Sequence, residues 1–296
     1  MKTVNCAICK NKEKIDLLYP QNLNIKKLDK KIFSARRLPD KIHYEIVRCN
    51  KCGLIFSRKI LPTERIVSLY KKSEIYYKSE SSYLAKTYLK YFRRYIGEEK
   101  NIKVLDIGAG DGFFLNELVR YGIKDVWGVE PGAPMVKKST KYLQKRIKVN
   151  VLKPKLFPNN SFDVVVCFHT LDHIVDPNAF LKIVYALLKP GGKIFFVVHN
   201  TSGLSVKLFG EKSPIFDVEH IYLFNPESLT KILKNNKFKK PFVFSHYNTY
   251  PISYWFHLVP IPNSLKIKIT NFLKSNKLID IPVKINPGNI GVIAYK

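Results

Sequence analysis

The sequence predicts an α/β fold, an open sheet with helices on its faces, preceded by a small cysteine-rich module. Three observations predict it. An apolar run enters a glycine turn at Val104-Leu-Asp-Ile-Gly-Ala-Gly-Asp-Gly-Phe-Phe114, and an acid, Glu130, arrives 22 residues after Gly108. From residue 101 onward, strand-like apolar runs alternate with amphipathic helical ones, which implies a parallel sheet with right-handed crossovers. Four of the five cysteines form two Cys-x2-Cys pairs, Cys6 with Cys9 and Cys49 with Cys52.

Taken in order, residues 1–61 read as a zinc ribbon. Two Cys-x2-Cys knuckles bring four thiolates to one tetrahedral Zn2+, and a shell filled by protein has no open position for chemistry, so the metal is structural. Ile8, Leu54 and Phe56 are the expected apolar contacts. Disulfides are the weaker alternative in a chain that begins MKTVNC without an apolar signal core. On that start, and with no run of about 20 apolar residues, the expected location is the cytoplasm, with peripheral contact to a membrane allowed. Residues 62–100 read as a helical linker or cap with an aromatic stripe that includes Tyr76, Tyr77, Tyr83, Tyr88, Tyr91 and Phe92.

Residues 101–296 form the main domain, with strands expected near 102–107, 125–130, 147–151, 162–168, 193–198, 240–246 and 289–295. Helices are expected near 112–121, 133–145, 177–188 and 226–236, the last opened by a cap and proline at Asn225-Pro226. Two insertions interrupt the pattern, at 199–224 and 247–288. Insertions this long in a domain are functional or disordered. The second is too apolar for a linker. It either caps a substrate pocket, the favoured reading, or lies in an anionic membrane interface with Trp255 and Phe256 inserted and Lys266, Lys268 and Lys274 facing phosphates.

The turn itself discriminates between cofactors. A dinucleotide fingerprint needs a third glycine at 113, where this chain has Phe, and Asp106 beside the turn would repel a pyrophosphate seated on a helix start. An acid there suits a ligand carrying an ammonium group. On these residues the chain resembles the class I S-adenosylmethionine-dependent methyltransferases, whose first motif reads like Val104-Leu-Asp-Ile-Gly-Ala-Gly-Asp-Gly112 and whose second strand ends in an acid like Glu130. Phe162-Asp-Val-Val-Val166, Lys189-Pro-Gly-Gly192 and the segment Glu219–Glu227 look like later motifs of that family.

The resemblance implies a Rossmann-like seven-stranded sheet and S-adenosyl-L-methionine as cofactor. It implies contacts from Asp106, Gly108, Ala109 and Gly110, from Asp111 and Gly112 at the helix start, and from Glu130, Pro131 and Phe168 nearby. Family members often place an acid after the third strand for the adenine amine; Asn150–Pro158 contains none, which leaves a backbone carbonyl, Asn150, or a displaced third strand.

Methyl transfer to an oxygen needs a base near neutral pK, and substrates sit at the carboxyl ends of the strands. His169 and His220 are the first candidates by position, ahead of His173, His199 and His246. His169-Thr-Leu-Asp-His173 has the i, i+4 spacing of a zinc-protease helix but carries Thr170 where such an enzyme needs Glu. Ribbon and Glu219-His-Ile-Tyr222 together are similar to methyltransferases of sugar and cell-envelope pathways. The expected acceptor is therefore a small molecule such as a sugar, glycolipid precursor or other envelope metabolite.

The alternatives are an RNA methyltransferase and a non-catalytic cofactor-binding protein. A formal charge of +28 favours nucleic acid, yet only nine of the 51 basic residues are Arg and none follows Arg146. Phosphate and base recognition prefer the planar fork of Arg, so nucleic acid is the less favoured partner. Retention of both Asp106 and Glu130 argues against a non-catalytic role.

Overall fold

Short antiparallel strands open the chain. The computed structural model describes residues 1–24, 33, 41–72, 79–259, 263–276 and 278–296. It begins with β1 (Lys2–Thr3), β2 (Ile15–Tyr19), β3 (Ile46–Cys49), β4 (Ile55–Ser57) and β5 (Lys59–Ile60). Strands β2, β3 and β4 pair antiparallel, and β1 pairs with β5. Leu54 and Phe56 are fully buried, with Ile8 packed alongside, as the knuckle sequence suggests. Ile46 and Val47 are adjacent yet both buried, because the two faces of this small sheet are covered by different clusters.

Helices α1 (Thr63–Lys71) and α2 (Ser79–Tyr95) follow. Leu84, Tyr88 and Phe92 recur at four-residue steps on one face of α2 and are buried there. Tyr76 and Tyr77 lie outside the described residues.

Next come β6 (Val104–Ile107), α3 (Phe113–Tyr121), β7 (Val126–Glu130), α4 (Ala133–Val136), α5 (Lys141–Gln144) and β8 (Ile147–Val149). The single helix expected over 133–145 is thus two short ones. Thr140 breaks it, its hydroxyl capping α5 through Leu143 N–H at 3.3 Å. Strand β9 (Phe162–Phe168), α6 (Pro177–Leu187) and β10 (Leu188–His199) complete the central strands.

The first insertion supplies α7 (Leu204–Phe209) and β11 (Tyr222–Leu223), before α8 (Pro226–Asn235) and β12 (Lys239–Ser245). Asn225 and Ser228 form a capping box on α8. The second insertion supplies β13 (Asn248–Pro251), α9 (Ile252–Leu258), α10 (Asn263–Ser275) and β14 (Pro282–Ile285), and β15 (Asn289–Tyr295) ends the chain.

The main sheet has the order β12-β15-β10-β9-β6-β7-β8. Six strands are mutually parallel in direction, but β15 runs antiparallel to both β10 and β12, so the sheet is mixed rather than all-parallel. The chain enters β15 from β14 through a short turn, without the helical crossover that a parallel strand requires.

The two insertions have different attachments. Strand β11 leaves the main sheet and pairs antiparallel with β4, giving the amino-terminal module a four-stranded sheet of order β11-β4-β3-β2. Strands β13 and β14 pair with each other. Trp255 is half-buried, donates its indole N–H to Val283 O at 2.8 Å, and has its ring 5.2 Å from Tyr250. Among the described residues no helix is long and apolar enough to cross a membrane.

Candidate functional site

The chain leaves β6 at Ile107 and turns on Gly108 and Gly112, with φ of +81° and +73°, a region costly for any residue with a Cβ. Gly108 and Ala109 N–H both donate to Val129 O, at 2.9 and 3.1 Å, which fixes the turn to β7. A Cβ on Gly108 would stand 2.2 Å from Thr170 Oγ1, so the loop after β9 packs directly on the turn. Gly108→Ala is therefore expected to destabilise the protein by about 2–3 kcal/mol. Chemical denaturation would read this as a lower midpoint at unchanged slope.

Asp106 and Glu130 are both buried, at 2% and 4% exposure. Glu130 accepts from Gly110 N–H at 2.9 Å and from Gly132 N–H at 2.7 Å. Burial, with the nearby Glu130 charge, pushes Asp106 up to about 8. Burial also raises Glu130 to about 7, against the pull of its two N–H donors. Two buried acids of this kind are ionised most readily by an ammonium group and hydroxyl donors, which are what the methionine and ribose parts of S-adenosylmethionine present. The donor set fits that cofactor.

Ala109 is fully buried in the turn, while Asp111 and Pro131 flank it half-buried. Strand β8 stands where the third strand is expected, and Asn150 N–H donates to Glu130 O at 3.1 Å. A displaced strand therefore does not account for the absent acid.

Across the turn, the ends of β9 and β10, joined by His220 from the first insertion, bring four imidazoles to one carboxylate. Asp172 is fully buried, and His199 Nδ1 donates to its Oδ2 at 2.5 Å. His169 and His220 rings lie 4.6 and 4.4 Å from the His199 ring, and His173 lies 5.0 Å from His220. The structure thus unites His169 and His220, the two residues first expected. It adds Asp172 and His199 as the directly bonded pair. Burial alone would raise the Asp172 carboxyl, but the imidazoles of His199, His173 and His220 outweigh it and hold the carboxyl well below the usual range. Burial, then His199, keeps both His169 and His220 below the ordinary histidine value. His169 also sits at φ +48°, unusual for a residue of its size, with its N–H on Val197 O at 2.8 Å.

An aromatic wall joins these halves. Phe168 stacks on Tyr88 at 4.0 Å and meets Phe114 edge-on at 5.0 Å. His246, fully buried, lies 5.4 Å from Tyr88 and 4.4 Å from Tyr91; the Asn248 side chain is its polar neighbour, and among the described residues neither ring nitrogen has a partner of good hydrogen-bond geometry. Burial lowers it to about 3, so it is uncharged. A buried polar ring without partners costs stability. His246→Leu is expected to raise the thermal midpoint, with about 1 kcal/mol gained; an equally large loss would show that the imidazole stabilises the fold.

Cys6, Cys9, Cys49 and Cys52 converge, with Sγ separations of 3.3 Å for Cys6–Cys52, 3.5 Å for Cys6–Cys9 and 3.4 Å for Cys9–Cys49. One sulfur from each lies within 4.8 Å of the others, a spacing that suits a tetrahedral thiolate metal site. The knuckle docks on the main domain through Asn178 Nδ2 to Ala7 O, 2.8 Å, and Asn235 Nδ2 to Ile8 O, 3.2 Å. Cys167 lies apart from this cluster, fully buried in β9.

A glycine turn under two buried acids, at the carboxyl ends of a Rossmann-like sheet, defines a nucleotide-type cofactor domain. A family profile described as a methyltransferase domain matches residues 77–240. That is more than half of the chain, and the protein belongs to this family. Among curated relatives, the ubiquinone biosynthesis O-methyltransferase of Escherichia fergusonii is 32% identical over 109 residues, 35% of this chain and 45% of the relative. The human mitochondrial ubiquinone biosynthesis O-methyltransferase is 30% identical over 151 residues, 46% of this chain and 41% of the relative. The matched stretch thus spans less than half of either relative. An S-adenosylmethionine-dependent methyltransferase from Archaeoglobus fulgidus has a similar solved structure, at 23% identity and TM-score 0.47, covering 74% of this chain and 98% of that one.

Proposed function

We propose that this protein transfers the methyl group of S-adenosylmethionine to a small-molecule acceptor, with a sugar, glycolipid precursor or other cell-envelope metabolite as the favoured class. One observation carries the reading: the glycine turn with Asp106 and Glu130 opens at the same sheet edge as the Asp172–His199 pair. The curated relatives act, by their names, on a biosynthetic small molecule, which supports the acceptor class at that level.

Asp106 would pair with the ammonium group and Glu130, held by the N–H groups of Gly110 and Gly132, with the ribose hydroxyls. Phe168 and Tyr88 would cover the cofactor's apolar surface. The cofactor supplies an activated methyl on a sulfonium. What the chain must add is alignment of the acceptor, worth up to roughly 7–11 kcal/mol, and removal of its proton. His199 suits the second task. Its Nδ1–H is held by Asp172, which orients Nε2 as the accepting atom and stabilises the imidazolium once formed. His169 and His220 flank that ring and complete the acceptor's polar wall. Cys6, Cys9, Cys49 and Cys52 would hold structural zinc.

Incubation of the protein with methyl-labelled S-adenosylmethionine and separated lipid, soluble-metabolite and RNA fractions tests the reading. Label is expected in the soluble or lipid fraction. Cofactor binding without transfer to any fraction would refute it, and uptake by RNA alone would replace the acceptor class.

A further inference from the structure

Asp172 raises a question that the acid–base pair leaves open. One oxygen, Oδ2, accepts from His199; the other, Oδ1, is buried and has no hydrogen-bond partner among the described residues. A buried carboxylate oxygen in that condition is costly unless something cationic completes it.

Two further imidazoles stand beside it, each oriented from behind. His173 Nδ1 bonds to the Tyr70 hydroxyl at 2.9 Å, and its Nε2 lies 3.8 Å from Asp172 Oδ1. His220 Nδ1 donates to Ile215 O at 2.7 Å. With Nδ1–H of His220 held by a carbonyl, Nε2 is its coordinating atom, and His173 turns its Nε2 toward Asp172 Oδ1. One ligand atom from each of Asp172, His173 and His220 lies within 4.8 Å of the other two. Ligands at about 2.0–2.2 Å from a shared cation stand about 3–4 Å apart, so small side-chain rotations close the set. Metal-bound histidines and carboxylates are characteristically held by such outer partners. Here Tyr70, the Ile215 carbonyl and His199 are those partners.

We propose that Asp172, His173 and His220 form a site for a divalent transition-metal cation that orients an oxygen of the methyl acceptor. Two nitrogens and one carboxylate select zinc, manganese, iron or cobalt over magnesium or calcium. Three protein ligands leave coordination positions open for the acceptor, and the His173 side chain, at 19% exposure, marks where it enters. The acceptor half of this statement rests on the methyl-transfer reading above; the cation half does not. His169, Asp172 and His199 are a second grouping of suitable atoms. In it, however, His199 would have to give up its bond to Asp172.

Co2+ is the probe, added to full-length protein with zinc on its cysteines. The expected result is one further cobalt per chain, with a nitrogen–oxygen spectrum free of thiolate charge transfer, and a higher thermal midpoint. His173→Gln and His220→Gln should each weaken cobalt about 100-fold, and Tyr70→Phe about 10-fold. His169→Gln should change it by less than about 3-fold, with circular dichroism confirming that every variant folds. Folded wild-type protein that takes up no further cobalt overturns the site. Loss in His169→Gln with retention in His173→Gln and His220→Gln overturns the ligand set. If cobalt binds but no methyl moves, the cation site stands and the methyl-transfer reading falls. Full transfer in protein stripped of the second cation removes its role in orienting the acceptor.

Discussion

Asp106→Asn weakens S-adenosylmethionine binding by about 100-fold or more, yet makes the free protein more stable. Asp106 is held near 8 in the folded chain by burial and by Glu130, against about 3.9 when unfolded. Between those values the folded state carries the extra proton, so stability is full below about pH 4 and falls as pH rises toward 8. Asn removes that penalty, and about 2–4 kcal/mol of added stability is expected at pH 8, after allowance for relaxation around the charge.

The bound state has the opposite sign. The ammonium group needs the carboxylate, so cofactor affinity should rise by up to about tenfold per pH unit between 6 and 8. Thermal melts at several pH values, beside calorimetric titration of the cofactor, check both halves. A lower midpoint in Asp106→Asn, or an affinity indifferent to pH, would show that the acid supports the fold instead.

Replacing Cys9 and Cys49 by Ser is expected to abolish methyl transfer while leaving cofactor affinity within about threefold. A structural zinc contributes roughly 10–16 kcal/mol to the fold it organises, so the small amino-terminal sheet should melt without it. The damage then travels by a defined route. Ser57 Oγ–H donates to His220 O at 2.9 Å, Ser57 N–H donates to Ile221 O at 2.8 Å, and Ile221 N–H donates to Asp172 O at 2.8 Å. Losing β4 therefore frees the backbone that positions His220 and Asp172. The glycine turn has its own support on β7 and should hold. Label-transfer rates and cofactor calorimetry on the same preparation separate these effects; equal losses in both would make the ribbon a general scaffold.

The glycine turn was readable because its requirements are local. Gly108 and Gly112 occupy backbone conformations that other residues avoid, Asp106 stands one residue before the end of β6, and Glu130 ends β7. The same holds for β9, where the expected and observed limits coincide. What escaped the sequence depends on neighbours distant in the chain. His199 meets Asp172 because β9 and β10 lie side by side in register, Phe168 opposite Val197; spacing alone cannot express that. Tyr70 reaches His173 from a helix of the linker. The two residues of β11 are too few to show a strand pattern, and their partner strand lies in another module. The break between α4 and α5 turns on one threonine cap, which a helical periodicity overruns.

The pairing of β11 with β4 also sets an order on synthesis. Ser57 and His220 are 163 residues apart in the chain. At about 5–20 residues per second, the apolar edge Ile55–Ser57 emerges roughly 8–30 s before its cover exists. A nascent chain in that interval presents an open strand edge of the kind that invites pairing with other chains. The amino-terminal sheet is thus begun first and finished only after β10 has been made. A ribosome stalled between residues 60 and 220 would hold the protein at its most aggregation-prone stage, with its cysteines already available to metal.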